Sequence, residues 1–212
     1  MQLKWNRARL ARWLACASLF ASTQRIAQAT DFPVTTPNNS GAGSFRQAIL
    51  DAAVSGDTAT FDAGLAGMSL VNGGSILFDK NLTLIAPSVN GLVVPHDIAL
   101  QQGLIYNSTT AGEYATFSGI LSGASGLTKT GVGTLILSGD NSYIGDTLFE
   151  QGQLRLKHNN ALGTGLLNVN AIGDNETPAS AGDVNIGGTV AAITTSLNLS
   201  LIHISEPTRL RR

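Results

Sequence analysis

The chain has 212 residues, 43% hydrophobic, 13% charged and 6% aromatic, with 24 glycines and a formal charge of −1. That apolar content excludes a disordered polar chain, and many Gly, Ser, Thr and Asn among scattered Leu, Ile and Val suit short strands joined by turns. The body holds only Arg46, Lys80, Lys129, Arg155 and Lys157 against every acid but Glu206, the other basic residues lying in the first 25 and last four positions; an acidic body argues against nucleic acid as a partner and against docking on anionic lipid.

Residues 1–29 read as a secretory signal peptide. Lys4–Arg12 is basic and Trp13–Ala21 apolar. Ala27-Gln28-Ala29 supplies the small-x-small pattern of a signal cleavage site, which places the cut after Ala29. The apolar run is too short to span a bilayer, which needs about 20 residues. The single cysteine, Cys16, falls inside this segment. The mature chain is therefore expected to rely on a repetitive core and not on disulfides.

Residues 30–57 read as a polar lead-in with Pro33, Pro37 and Gly41, then a helix from Phe45 to about Val54 ended by Gly56. Ser44 is its N-cap, with Gln47 as capping-box partner, and Phe45, Ala48, Ile49 and Ala52 share one face. A lone amphipathic helix ahead of many strands is expected to cover the open end of a stacked β structure, because solenoids need capped ends.

Over residues 58–198 strand signals recur at Ala59–Phe61, Ser75–Phe78, Leu82–Ile85, Leu92–Val94, Ile98–Leu100, Thr134–Leu137, Gln153–Leu156, Leu166–Val169 and Asp183–Ile186, punctuated by Gly, Asn, Asp or Pro. Alternation points Leu82 with Leu84, Leu135 with Leu137, and Leu154 with Leu156 to the same side. Leu135 and Leu154 are one solenoid coil apart in spacing. Residues 199–212, beginning L-S-L-I-H-I-S-E-P-T-R, share no periodicity with what precedes them. They read as a translated sequencing adapter or a disordered tail, and are left out of fold reasoning.

Residues 122–156 are more specific. Leu127, Lys129, Gly131, Gly133, Leu135, Leu137, Gly139, Asn141, Tyr143, Gly145, Gly152 and Leu154 follow the pattern Leu-x-Lys-x-Gly-x-Gly-x-Leu-x-Leu-x-Gly-x-Asn-x-Tyr-x-Gly, then Gly-x-Leu. This closely resembles the autotransporter-associated β-strand repeat of passenger domains. Asp146 stands where that family often has Gly, and Phe149 where it usually has Val. Asn160–Gly165 is also typical of such passengers, and Gly43–Ile49 with Gly56-Asp57-Thr58 and Phe61 resembles the start of surface-exported β-helix proteins. The expected fold is all-β, a right-handed parallel β-helix with a short N-terminal capping helix. Leu127, Leu135, Leu137, Leu154 and Leu156 form the repeat core. Gly131, Gly133, Gly139, Gly145 and Gly152 are turns with positive φ. Asn141 bonds backbone groups at a turn or stacks on an Asn of another coil, Tyr143 packs over a corner, and Lys129 is a solvated face residue.

Catalytic chemistry is harder to find. His96 and His158 have no spacing partner for a metal site, no Gly-x-Ser-x-Gly is present, and Gly131-x-Gly133 lacks the third glycine and the helix of a dinucleotide site. Asp57 with Asp62, and Asp140 with Asp146, have the look of carboxylate pairs but read as solvated turn acids. The expectation is therefore no catalytic residue, no metal and no cofactor. The resemblance implies an N-terminal fragment of an autotransporter passenger, exported by the Sec machinery of a Gram-negative bacterium. A C-terminal outer-membrane β-barrel would follow in the full-length protein. The role would be an adhesin-like scaffold at the cell surface or outside it, with a host or cell-surface ligand. The alternatives are a secreted polysaccharide-active β-helix enzyme and a passenger with a hydrolase domain downstream.

Overall fold

Alternating side chains of short, β-branched and leucine-rich runs give each strand one apolar edge, and such an edge is stable only when buried. In a computed structural model, which describes residues 28–53, 56–169, 183–186 and 197–199, the chain buries them by stacking. The strands are β1 (Thr58–Thr60), β2 (Ile76–Phe78), β3 (Leu82–Ala86), β4 (Leu92–Val94), β5 (Ile98–Leu100), β6 (Leu104–Ser108), β7 (Tyr114–Phe117) and β8 (Leu121–Gly123). They continue with β9 (Leu127–Thr130), β10 (Thr134–Leu137), β11 (Thr147–Phe149), β12 (Gln153–Leu156), β13 (Leu167–Val169), β14 (Asp183–Ile186) and β15 (Leu197–Leu199). They lie in three sheets, in the orders β1-β3-β6-β9-β11-β13-β15, β14-β12-β10-β7-β4 and β2-β5-β8. Neighbours are parallel and belong to successive coils, so the molecule is a parallel β-solenoid.

Register makes the interior. Leu135 lies opposite Leu154 and Leu137 opposite Leu156, with Ala115 and Phe117 in the coil above. All six are buried to within 1%. A second column runs Leu84, Tyr106, Lys129, Phe149 and Val169 down the largest sheet. Thr58 pairs with Thr83, Leu127 with Thr147 and Leu167 with Leu197, so coils shorten towards the repeat and lengthen after it. Contacts from one coil to the next link residues 23 apart at Asp97 and Ile120 and 20 apart at Leu121 and Asn141. The third sheet ends at β8. Beyond it that face is carried by irregular chain whose amides still pair upward, Ser142 to the Leu121 carbonyl and Ile144 to that of Gly123.

The capping helix α1 spans Phe45–Asp51. Ser44 accepts from the Gln47 amide, while the Gln47 side chain turns to Asp51 and leaves the capping box half made. The helix is shorter than the sequence suggests, ending at Asp51 and not near Val54. The Asp57 carboxylate accepts the Ala53 amide through one oxygen and the Thr30 amide through the other. It thereby draws the chain out of the helix and back to the first coil. Buried Phe45, Ala48 and Ile49 face that coil, where Phe45 meets Phe61 with centroids 5.4 Å apart. Residues 31–34 lie above β1, with the amides of Phe32 and Val34 donating to Thr58 and Thr60. On the opposite edge of this segment Pro33 has no N–H to offer, which blunts it against further pairing.

The signal-peptide reading for residues 1–27, including Ala27, and the tail reading for 200–212 lie outside the described residues. Ala29 is exposed in extended chain, and Leu199 pairs with Val169 as the last residue of β15.

Two kinds of glycine close the repeat's corners. Gly131 and Gly152 have φ of 74° and 80°, a region that costs a residue with a Cβ. Gly133, Gly139 and Gly145 do not need positive φ, contrary to expectation; they are glycines because the coil above lies against them. A Cβ on Gly145 would collide with the Gly126 amide nitrogen, and one on Gly139 with the Gly119 carbonyl. Gly145→Ala is therefore expected to cost about 1–3 kcal/mol, the usual range for overpacking against an unyielding neighbour, measured by urea unfolding of the exported protein.

Candidate functional site

The four carboxylates weighed as pairs each accept hydrogen bonds. Asp57 is buried, not solvated, and holds two amides. Asp62 accepts from the Gly64 amide at 2.8 Å in a one-turn 3₁₀ helix. Asp140 accepts from Asn160 at 2.7 Å and lies 3.6 Å from His158 Nδ1. Asp146 takes the Leu166 amide at 2.9 Å and the Asn168 side chain at 3.1 Å. No three His, Cys, Asp or Glu among the described residues are grouped to hold a metal ion.

What the repeat does concentrate is polarity inside its core. Lys129 is completely buried, which corrects the expectation of a solvated face residue. β9 alternates, so Lys129 faces the same way as Leu127, into the column between Tyr106 and Phe149. Its stem lies among apolar side chains and its Nζ donates to the carbonyls of Thr130 at 2.6 Å, Gly131 at 2.6 Å and Gln151 at 3.0 Å. Three donors meet three acceptors. Burial pulls the amine down to about 7, while three carbonyls oppose that by favouring the charged form. The ammonium joins one coil's corner to the next.

Asn141 is the second such clamp. Its Oδ1 accepts from the Leu121 amide at 2.8 Å and its Nδ2 donates to the Ala161 carbonyl at 2.6 Å, both buried. One side chain thus spans three coils on the face where strand pairing has stopped. Of the two arrangements open from sequence, backbone bonding is the one found. Tyr143 is fully buried, its hydroxyl 2.6 Å from that of Thr147, and burial pushes the phenol well above its ordinary value. Gly163 lies so close that a Cβ there would touch the Tyr143 ring. Leu127, Leu135, Leu137, Leu154 and Leu156 line the interior, and Phe149 fills the position usually held by Val without reaching solvent.

This arrangement can register and lock stacked coils. The passenger-associated-transport-repeat family matches residues 127–156, the stretch that contains both clamps. The chain carries an autotransporter passenger repeat. Two proteins resemble it over longer or denser stretches. The adhesin BmaC autotransporter of Brucella suis biovar 1 (strain 1330) is 37% identical over 81 residues, which is 34% of this chain and 2% of that protein. An extracellular serine protease of Serratia marcescens is 51% identical over 43 residues, 20% of this chain and 4% of that one. The chain thus spans only a small part of these relatives' lengths. No solved structure matches it.

The clamps of the passenger repeat yield a contrast between two lysines. Lys129→Met removes the donor from three inward carbonyls and should cost about 2–4 kcal/mol. Lys80→Met, which loses only a surface pair with Asp79, should change stability by less than about 1 kcal/mol. Urea unfolding of the two variants in parallel measures the difference.

Proposed function

We propose that this chain is the N-terminal part of an autotransporter passenger, exported across the inner membrane and carried to the cell surface or beyond by an outer-membrane β-barrel elsewhere in the full-length protein. The observation that carries this reading is the clamped repeat at 127–156, with its likeness to an autotransporter adhesin. Physics supports it. Each coil pairs with the one before it, so a chain arriving end-first can add coils one at a time on a template already formed. Disulfides, which would close loops in a translocating chain, have no cysteine to form from in the expected mature sequence. We read the role as structural and adhesin-like, since a long repetitive surface binds partners without a local catalytic motif, and no enzymatic activity is proposed for this region. Ligand recognition would then be spread over outward-facing side chains.

Expression of the full gene should place this segment outside intact cells. Externally added protease should remove an epitope inserted near residue 150, and the released passenger should begin at Thr30 by N-terminal sequencing. Protection of the epitope on intact cells, with cleavage only after lysis, would refute surface display.

A second reading draws on the likeness to an extracellular serine protease: the coils present a hydrolase domain lying elsewhere in the longer protein. Casein hydrolysis by the secreted full-length protein, blocked by a serine-directed inhibitor, would favour it over the adhesin reading.

A further inference from the structure

Among the described residues outside the repeat, His96, Tyr106 and Glu113 have buried polar atoms left without a hydrogen-bond partner, and His96 is the one that lies against the capping helix. His96 lies at the corner between β4 and β5, 1% exposed, and neither of its ring nitrogens has a hydrogen-bond partner. Its ring meets that of Phe45 edge-on, with centroids 5.6 Å apart and planes at 70°. Phe45 also rests on Phe61. The imidazole is thus part of the floor beneath the capping helix.

Two charged side chains act on this position. Arg46 of α1 is fixed by donating to the carbonyls of Ser75 at 2.8 Å and Gly74 at 2.7 Å, and to Asn39 at 3.2 Å. Asp97, the next residue along, already accepts the Ile120 amide at 2.8 Å. From the coil below, Gly119 approaches the His96 carbonyl with backbone alone, and Phe61 adds no charge. A proton on His96 would therefore sit in an apolar floor, near a guanidinium that cannot retreat without releasing the helix, with its one nearby carboxylate engaged elsewhere.

We propose that α1 is an acid-released cap on the solenoid, with His96 as its trigger: the imidazolium gains water only when the helix lifts. Burial first, and then Arg46, hold the imidazole below its ordinary value of 6.5, with Asp97 pulling the other way. The sign follows. The closed form keeps a neutral ring while the open form takes up a proton below about pH 6.5, so the cap is fully held above that value and loses ground as the pH falls, by up to about tenfold in population per pH unit. Lifting the helix uncovers Phe45, Ala48 and Ile49 together with Phe61, an apolar end that the neutral form hides.

Hydrogen exchange read by mass spectrometry on the exported protein tests this at pH 7.5 and pH 5.0, after correction for the intrinsic rate. Opening of residues 44–53 is expected to rise about tenfold or more at the lower pH, while residues 127–156 keep their protection. His96→Phe should abolish the rise. Equal protection of α1 at both pH values overturns the proposal, as does an equal rise in His96→Phe or loss of protection everywhere at once. Should His96→Phe not fold, an NMR titration of the wild-type imidazole decides instead. Titration of His96 only together with shifts in α1 supports the cap; independent titration near 6.5, with α1 unmoved, overturns it.

Discussion

Everything in this molecule depends on in-register parallel pairing between one coil and the next. A slip of one residue in a strand sends its apolar side chains to the opposite face, and here the penalty would pass to every later coil. The alternation of buried and half-buried residues in β3, β4, β5 and β6 shows how strictly the interior is kept. Apolar burial supplies the driving force, yet leucine columns alone specify register weakly. A Leu opposite a Leu one coil away is nearly equivalent to a Leu opposite the next Leu but one. Something directional has to choose.

The directional elements are the buried polar side chains. A Leu tolerates displacement; an ammonium committed to three carbonyls does not, since any slip leaves buried acceptors without donors. Lys129 and Asn141 sit on different faces and reach into adjacent coils by different chemistry, one a cation among carbonyls, the other an amide that both donates and accepts. Asn141 acts where the third sheet has ended, so it replaces ladder bonds that irregular backbone no longer makes. The exposed acids follow the same logic at lower cost. Asp97 and Asp146 each accept an amide from the following coil, as Asp140 does a side-chain amide. This explains why an acidic body with few lysines shows so few ion pairs among its described residues: the carboxylates are spent on backbone donors.

Much of this was legible in the sequence. The strands at Leu92–Val94, Ile98–Leu100, Thr134–Leu137 and Gln153–Leu156 are read to the residue, because alternation and glycine punctuation coincide there. The strand signals miss β6, β7, β8, β9, β11 and β15. Leu104–Ser108 carries Asn and Ser where a strand signal expects apolar or β-branched residues. The solvated reading of Lys129 fails for a different reason. Period-two alternation from Leu127 already turned it inward; the general rarity of buried lysine overrode the local pattern. A position two residues along a strand from a core Leu, followed by a glycine corner rich in carbonyls, is the signal that would have found it. Asp57 gives no such signal, because its two amide partners, Thr30 and Ala53, come from either side of the helix and meet only once the chain has folded.

The two ends of the described solenoid are built on opposite principles. At the repeat, each coil advertises what the next must supply: the Ala161 carbonyl is met by Asn141, and the Gln151 carbonyl by Lys129, so stacking is rewarded coil by coil. At the N-terminal end stacking is stopped. Pro33 withholds a donor, α1 covers the apolar interior with Phe45, Ala48 and Ile49, and Asp57 ties both sides of the helix to the first coil. A structure that grows by templating needs such an asymmetry, because an open first coil would accept strands from any neighbour as readily as from its own chain. The cap is held by apolar contacts, the Arg46 bonds and a pair of amide bonds, whereas the repeat is held by sheets on either side as well as by its clamps. Opening of the cap therefore leaves the sheet pairing of the later described coils intact.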